Sequence, residues 1–166
     1  MTDSTSPEST PAAAEAPGRS LGLVKVVGVL GIIGGILLIV VGIIAWIGVT
    51  TQLTAEKITI PDDAIAFQGQ QVTGPLTAWV QADIINTHAL AASDGKTYAE
   101  LDQDDPTRNT VMQASFLRAS LFTSIVAYGV ALFAAGMGVL AILFGWALHR
   151  LASAPVVIKQ ARILEA

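Results

Sequence analysis

The stretch VVGVLGIIGGILLIVVGIIAWIGVTTQLTA, residues 26–55, carries no charged side chain over 30 consecutive positions. A second charge-free stretch of the same length, ASLFTSIVAYGVALFAAGMGVLAILFGWAL, occupies residues 119–148. About 20 apolar residues suffice for a helix to cross the ~30 Å hydrocarbon core of a bilayer, where a helix satisfies its own backbone polar groups. These stretches therefore predict an all-α membrane protein with two transmembrane helices, which we place at residues 26–50 and 118–149.

The composition of the whole chain fits this class. Of 166 residues, 52% are hydrophobic and only 13% are charged, and cysteine is absent. Such a chain is too small and too apolar for a multi-domain soluble enzyme, and it can form no disulfide. A net charge of −4 argues against nucleic acid as a partner, because phosphate recognition needs a dense face of Lys and Arg. We expect membrane lipid as a partner, together with another membrane protein or a second copy of this chain.

The two ends of the chain are predicted to be tails. Residues 1–22 are rich in Ser, Thr, Pro, Ala and Glu, which is typical of a disordered segment. A cleaved secretory signal is the alternative for the first span. Its apolar core usually covers about 7 to 15 residues, whereas Val26 to Val49 is apolar throughout and favours a retained anchor.

Basic residues near the spans predict the orientation, because they are retained on the cytoplasmic side. Five of them flank the pair of spans and three lie between the spans, in a central segment with a net charge of −5. We therefore expect a plasma-membrane hairpin with both termini cytoplasmic, including the tail 150–166, and with residues 51–115 outside. The five are Arg19, Lys25, Arg150, Lys159 and Arg162, and the three are Lys57, Arg108 and Arg118.

The segment 51–115 is predicted to form a small, mainly helical cap. Pro75 suits the first position of a helix, and the apolar residues that follow recur at helical spacing, so we expect an amphipathic helix over residues 75–91. The side chains expected on its apolar face are Leu76, Trp79, Val80, Ile84 and Ala91.

Two further helix starts follow in the cap. Thr97 and Glu100 have the spacing of a capping box, which predicts a short helix over residues 97–102. Asp105 followed by Pro106 is typical of a capping carboxylate and a first helical residue. We expect a helix from residue 106 that continues without a break into the second span.

Small residues recur along both spans at the spacing of a heptad seam. Such residues let helix backbones approach closely and make dispersion contacts. Three interpretations stay open: the seams face each other in a hairpin, one seam docks a partner subunit, or Gly and Ala are simply frequent in this chain. The seam residues are Gly28, Gly31, Gly35, Gly42 and Ala45 in the first span, and Ala127, Ala131, Ala134, Gly138, Ala141 and Gly145 in the second.

Three residues are predicted to anchor the spans at the membrane interfaces. Trp46 should lie near the outer interface and Trp146 near the inner one, because amphipathic indole rings prefer the headgroup level. The guanidinium of Arg118 can reach lipid phosphate at the start of the second span. Neither span carries an acidic or basic side chain at depth, which argues against a proton or ion transporter.

The runs QADIINTHAL (residues 81–90), GKTYAELDQDDP (95–106) and TVMQASFLRASLFTS (110–124), preceded by PDDA (61–64), carry a resemblance. They resemble a family of small two-span membrane proteins of high-GC Gram-positive bacteria, which automated naming often calls aromatic ring-opening dioxygenase, LigA-like. The resemblance covers residues from about 50 to 150. It implies a two-span protein without an established activity and supplies no catalytic residues.

Ring-opening chemistry at non-haem iron places two His and a carboxylate on one face of the metal. The only two His of this chain, His88 and His149, are predicted on opposite sides of ~30 Å of bilayer. We therefore predict no metal site, no cofactor and no enzymatic activity. We expect a non-catalytic interaction or accessory subunit of the cell envelope, and the alternative is a membrane sensor that binds a small ligand or lipid.

Overall fold

A computed structural model describes residues 18–153, which include both charge-free stretches and the segment between them. In this range the chain is all-helical, as predicted, and forms no strand. The elements are α1 (Gly18–Ala55), α2 (Pro75–Ala92), a short 3-10 helix (Tyr98–Glu100) and α3 (Arg108–Ser153). The predictions for residues 1–17 and 154–166 lie outside the described residues.

The two long helices extend beyond the predicted spans. α1 begins at Gly18, inside the predicted tail 1–22, and α3 runs unbroken for 46 residues to Ser153. Proline ends or blocks helices, and none occurs between Gly18 and Ala55 or within α3. α3 begins at Arg108, and a turn precedes it in which the Arg108 N–H donates to the Asp105 carbonyl at 3.1 Å. The Asp105 carboxylate accepts hydrogen bonds from the backbone N–H and the hydroxyl of Thr107, at 2.8 and 2.6 Å.

α1 and α3 pack side by side in antiparallel directions along most of their length. Both are long and apolar enough to cross a membrane. Only 17% of the most apolar window of each helix is buried inside the protein, so most of their apolar side chains face outward. This distinguishes them from the core helices of a soluble protein, which are mostly buried.

The segment between the long helices packs against one end of the pair, and the name cap is kept for it below. After α1 the chain forms a narrow β-like turn, in which Ile60 and Val72 donate backbone hydrogen bonds to the carbonyls of Gln70 and Ile58, both at 2.9 Å. α2 then packs along α3. A single apolar core joins the turn, α2 and both long helices, and its buried members are Leu53, Ile60, Ala64, Val72, Ala78, Val80, Ala82, Ile84, Leu121 and Tyr128.

The buried face of α2 differs from the predicted one. Val80 and Ile84 are buried as expected, but Leu76 and Trp79 are 70% and 55% exposed. The prediction placed the largest apolar side chains inside, whereas the inner face of α2 consists largely of small residues that permit close packing. The buried residues of α2 are Ala78, Val80, Gln81, Ala82, Ile84 and Ala89.

Candidate functional site

The contact between α1 and α3 is a ladder of small residues that repeats every seven positions. Gly28 lies against Gly145, Gly35 against Gly138, and Gly42 against Ala131. A Cβ atom on Gly28, Gly35 or Gly42 would lie 2.8, 2.5 or 2.7 Å from the carbonyl oxygen of the facing residue. These distances are too short for any side chain, so the two backbones touch directly at three levels. The seven-residue spacing is typical of helices that wind around each other with a left-handed supercoil.

The other seam residues lie beside this ladder at different depths. A Cβ atom on Gly31 would lie 3.5 Å from the carbonyl oxygen of Ala141, which is an ordinary contact distance. Ala127 and Ala134 are half-buried. Ala45 is exposed and lies outside the ladder, because the repeat from Gly42 continues at position 49.

A junction of three segments lies at the cap end of the ladder. The hydroxyl of Tyr128 on α3 is 2.8 Å from Oγ1 of Thr50 on α1, and it donates a hydrogen bond to the backbone carbonyl of Thr73 at 3.3 Å. The Tyr128 ring is fully buried and meets the ring of Trp46 edge to face, with centroids 4.6 Å apart. Tyr128 therefore ties the cap to both long helices. The sequence pattern gave it no special weight, since one Tyr in an apolar run carries no spacing signal.

The predicted interface anchors occupy both ends of the helix pair. Trp46 packs on Tyr128 at the cap end, while Trp146 is largely exposed near the opposite end, with the Arg150 guanidinium 5.4 Å from its ring. The Arg118 side chain is half-buried between α2 and α3, and its guanidinium lies 5.9 Å from the ring of Phe122. Its Nε atom is buried without a hydrogen-bond partner among the described residues.

A cavity of about 340 Å³ opens between the end of α1, the middle of α2 and α3. Gln81 of α2, which is only 9% exposed, lines it. The side-chain Oε1 of Gln81 is buried and accepts no hydrogen bond from any residue between 18 and 153. Sequence reasoning missed Gln81, because a single Gln on an amphipathic helix is usually a solvated residue.

Arg108 fixes the polar segment between α2 and α3. Its guanidinium lies 4.2 Å from the centroid of the Tyr98 ring, and Nη1 donates a short hydrogen bond to the carbonyl of Leu101. Cation–π contacts and charge-assisted hydrogen bonds are each stronger than their neutral counterparts. From the sequence, Arg108 was considered only as a basic residue near the second span. Its contact with Tyr98 depends on a turn that brings Tyr98 back to the start of α3.

Three carboxylates of the cap are held in their charged form by hydrogen bonds. Asp63 accepts a hydrogen bond of 2.6 Å from Nε2 of His88, and this contact lowers the pKa of Asp63. The backbone N–H and the hydroxyl of Thr97 both donate to Glu100 and lower its pKa. Asp105 has a lowered pKa because it accepts hydrogen bonds from the Thr107 hydroxyl and backbone N–H.

The histidines do not form part of a metal site in the described range. His88 pairs with Asp63 in the cap and lines a cavity together with Leu117 of α3. His149 lies near the far end of α3, about 48 Å along the helix from Leu117. Between residues 18 and 153, no three His, Asp or Glu side chains come close enough together to hold a metal ion. These residues do not fit the two His and one carboxylate of a ring-opening dioxygenase.

The chain matches no protein-family model, and no curated protein or solved structure is significantly similar to it.

Proposed function

We propose that this chain is a non-catalytic plasma-membrane protein whose α1–α3 hairpin crosses the bilayer and presents the cap on the extracytoplasmic side to another envelope protein. The observation that carries this proposal is the glycine ladder. It joins two outwardly apolar helices through their backbones, and it leaves their large side chains for lipid. Such a hairpin gives the cap a fixed position relative to the membrane.

The distance between the levels of Trp46 and Trp146 along the hairpin supports its insertion into a bilayer. The upper ends of the helices, Val49 to Leu53 and Leu121 to Tyr128, contribute to the core of the cap, so they are not free to face lipid on all sides. Trp46 packs on Tyr128, and Trp146 follows Tyr128 by 18 residues on α3, which corresponds to about 27 Å of helix. The two Trp levels are therefore separated by roughly one hydrocarbon core.

Cysteine labelling in intact cells tests the orientation, because the natural chain has no Cys to give a background. Ile65→Cys places a thiol on an exposed position of the cap, and Ser153→Cys places one at the end of α3. We expect a membrane-impermeant maleimide to label Ile65→Cys in intact cells and Ser153→Cys only after permeabilisation. The reverse pattern contradicts a cytoplasmic location of the termini.

Site-specific photo-crosslinking tests the interaction role. A photo-reactive residue replaces Ile65 on the cap or, as the matched control, Phe144 on the outward face of α3. We expect one reproducible protein adduct from position 65 in native membranes, and lipid adducts from position 144. If the chain is monomeric and position 65 gives no protein adduct, the interaction role is contradicted.

A second candidate function, the binding of a small ligand or lipid, is favoured by the cavity beside Gln81 and by the exposed Trp79. The Trp79 ring meets the Phe122 ring edge to face at 5.6 Å, close to the upper end of the apolar hairpin. A chain with Trp46→Phe and Trp146→Phe keeps Trp79 as its only indole. We expect its emission to shift when the lipid composition of the vesicles changes, and a constant emission contradicts a sensor role.

A further inference from the structure

The side chains beside the glycine ladder show which residues of α1 and α3 lie on the same side of the hairpin. A Cβ atom on Gly145 would lie 3.0 Å from Cγ1 of Ile32, and one on Gly35 would lie 2.7 Å from Cγ1 of Ile142. Ile32 and Ile142 each follow a ladder glycine by four residues. Equivalent flanking positions of two antiparallel helices lie on the same side of their contact, so Ile32 and Ile142 form one layer beside the ladder.

The next layer away from the cap is polar. The contact repeats every seven residues, and Lys25 precedes Ile32 by seven residues, whereas His149 follows Ile142 by seven. The two helices are still in contact at this level, because a Cβ atom on Gly28 would lie 3.1 Å from the backbone N of His149. Lys25 and His149 therefore continue the layers on this side of the ladder, and both residues are exposed.

An Arg–Trp pair lies next to His149 on α3. The guanidinium of Arg150 is 5.4 Å from the centroid of the Trp146 ring, which lies one helical turn closer to the cap and is 55% exposed. We call Lys25, Trp146, His149 and Arg150 the hairpin base. These side chains offer an ammonium, a guanidinium and two ring N–H groups, all of which donate hydrogen bonds. The hairpin base is therefore a cluster of donors suited to an anion.

The acidic residues of the protein lie far from the hairpin base. Asp and Glu are absent from residues 18–55 and 108–153, so α1 and α3 carry no acidic side chain. All acidic residues of the described range lie between Glu56 and Asp105. Glu56 is about 46 Å from Lys25 along α1, far more than the ~10 Å over which salt screens a charge. Within the described range, no carboxylate neutralises Lys25 and Arg150.

The surface next to the basic groups, on the side of the cap, is apolar. A groove of about 230 Å³ is lined by Lys25 and by the apolar side chains of Val26, Val29 and Leu30. These three apolar residues are 57%, 42% and 61% exposed. A partner that fits this surface has an anionic group at the level of Lys25 and an apolar chain beside it. A phospholipid with a net negative charge has this arrangement.

We propose that the hairpin base binds the headgroup of an anionic phospholipid. Lys25 and Arg150 pair with its phosphate, and an acyl chain lies in the groove above Lys25. The ring N–H groups of Trp146 and His149 donate to the remaining phosphate oxygens. The inference rests on the insertion of the hairpin proposed above, and it adds the class of lipid that the inserted hairpin selects.

Quenching of Trp146 by brominated lipids tests this preference. A full chain with Trp46→Phe and Trp79→Phe keeps Trp146 as its only indole and is reconstituted into phosphatidylcholine vesicles. Phosphatidylglycerol or phosphatidylcholine with a brominated acyl chain is added as a minor component, because bromine quenches an indole only at short range. Both lipids carry a phosphodiester, and they differ in net charge. We expect an association constant at least roughly fivefold higher for phosphatidylglycerol, the effect of one basic residue beside anionic lipid.

Charge substitutions locate the preference. Lys25→Gln combined with Arg150→Gln should make the two association constants equal. The matched control, Lys57→Gln combined with Lys96→Gln, removes the same charge from exposed residues of the cap and should keep the preference. Lys25→Arg combined with Arg150→Lys retains both positive charges and should also keep it, which separates charge from packing. A preference that survives Lys25→Gln with Arg150→Gln overturns the proposal.

The same measurement separates this inference from the proposed function. If both brominated lipids quench Trp146 equally, the hairpin is inserted without selecting an anionic headgroup, and only this inference is overturned. If neither lipid quenches Trp146, the insertion of the hairpin is contradicted and the inference fails with it. The crosslinking test of the interaction role at position 65 is independent of both.

Discussion

The hairpin and the cap of this protein are held together by different forces. In the hairpin the backbones of α1 and α3 touch at Gly28, Gly35 and Gly42. In the cap, an apolar core is combined with helix caps, a His–Asp pair and the Arg108 contacts. The difference shows that shape determines the packing of the two apolar helices, whereas polar groups fix the turns of the cap.

The largest effect is expected where the hairpin allows no added atom. A Cβ atom on Gly35 would lie 2.5 Å from the Gly138 carbonyl oxygen and 2.7 Å from the Ile142 side chain, so Gly35→Leu must force the helices apart. We expect a loss of more than about 4 kcal/mol in the free energy of unfolding, measured by circular dichroism during titration with a denaturing detergent. The adjacent Gly34→Leu is the control, because a Cβ there meets nothing within 4 Å. Equal losses in both variants contradict the ladder.

The cap core gives the next largest effect. Ile60 is 1% exposed, and Ile60→Ala should lower the free energy of unfolding of the cap by about 2–5 kcal/mol through the cavity it leaves. Ile65 in the same turn is 77% exposed, so Ile65→Ala should stay within about 0.5 kcal/mol. Hydrogen exchange resolves whether the loss is confined to the cap. A matching loss of protection along residues 28–42 would show that the cap and the hairpin do not unfold separately.

The junction between the two regions should respond more weakly. Tyr128→Phe keeps the ring against Trp46 but removes the hydroxyl that contacts Thr50 and the Thr73 carbonyl. We expect a loss of about 1–2 kcal/mol in thermal unfolding experiments, together with faster amide exchange near Thr73. Tyr98→Phe, on a partly exposed ring of the cap, is the control. If stability falls by the expected amount but amide exchange near Thr73 does not change, the Tyr128 hydroxyl stabilises the hairpin alone and does not hold the cap.

The smallest effect is expected from pH, and only in the cap. Asp63, Glu100 and Asp105 have pKa values lowered by their hydrogen bonds, so their contribution to stability is present above the ordinary pKa. It is lost as the pH falls through the lowered folded-state values, that is, below about pH 4. Methyl NMR signals of the cap should shift and broaden there, while those of the charge-free stretches of the hairpin stay constant. Asp63→Asn should remove the part of the change seen near His88, and a simultaneous change in the hairpin contradicts the separation.

Two helix starts of the cap coincide with local signals in the sequence. Pro75 starts α2 where expected, and the Thr97–Glu100 pair caps the 3-10 helix. These features depend on residues within one turn of each other, so the chemistry is visible in the sequence. Leu76 and Trp79 were assigned to the buried face because burial was judged from hydrophobicity, whereas the contact of α2 is made by smaller residues.

Local signals in the sequence could not predict the candidate site. Gln81, Glu56 and Ser124 come from three different parts of the chain, and no spacing relates them. They meet because α2 folds back along α3 at the end of α1. The same holds for Arg108 and Tyr98, which are ten residues apart and come together only through the turn between α2 and α3.

The sequence by itself determined that this chain contains two long apolar helices and small residues at heptad spacing along them, since both follow from periodicity and composition. Only the tertiary structure decided that Gly35 faces Gly138 in antiparallel register, that Ala45 lies outside the ladder, and that Gln81 lines a cavity. The physical reason is that a helix and its seam depend on neighbours within a few residues. The register between two helices and the cavities beside them depend on the shapes of the faces that meet when distant segments pack.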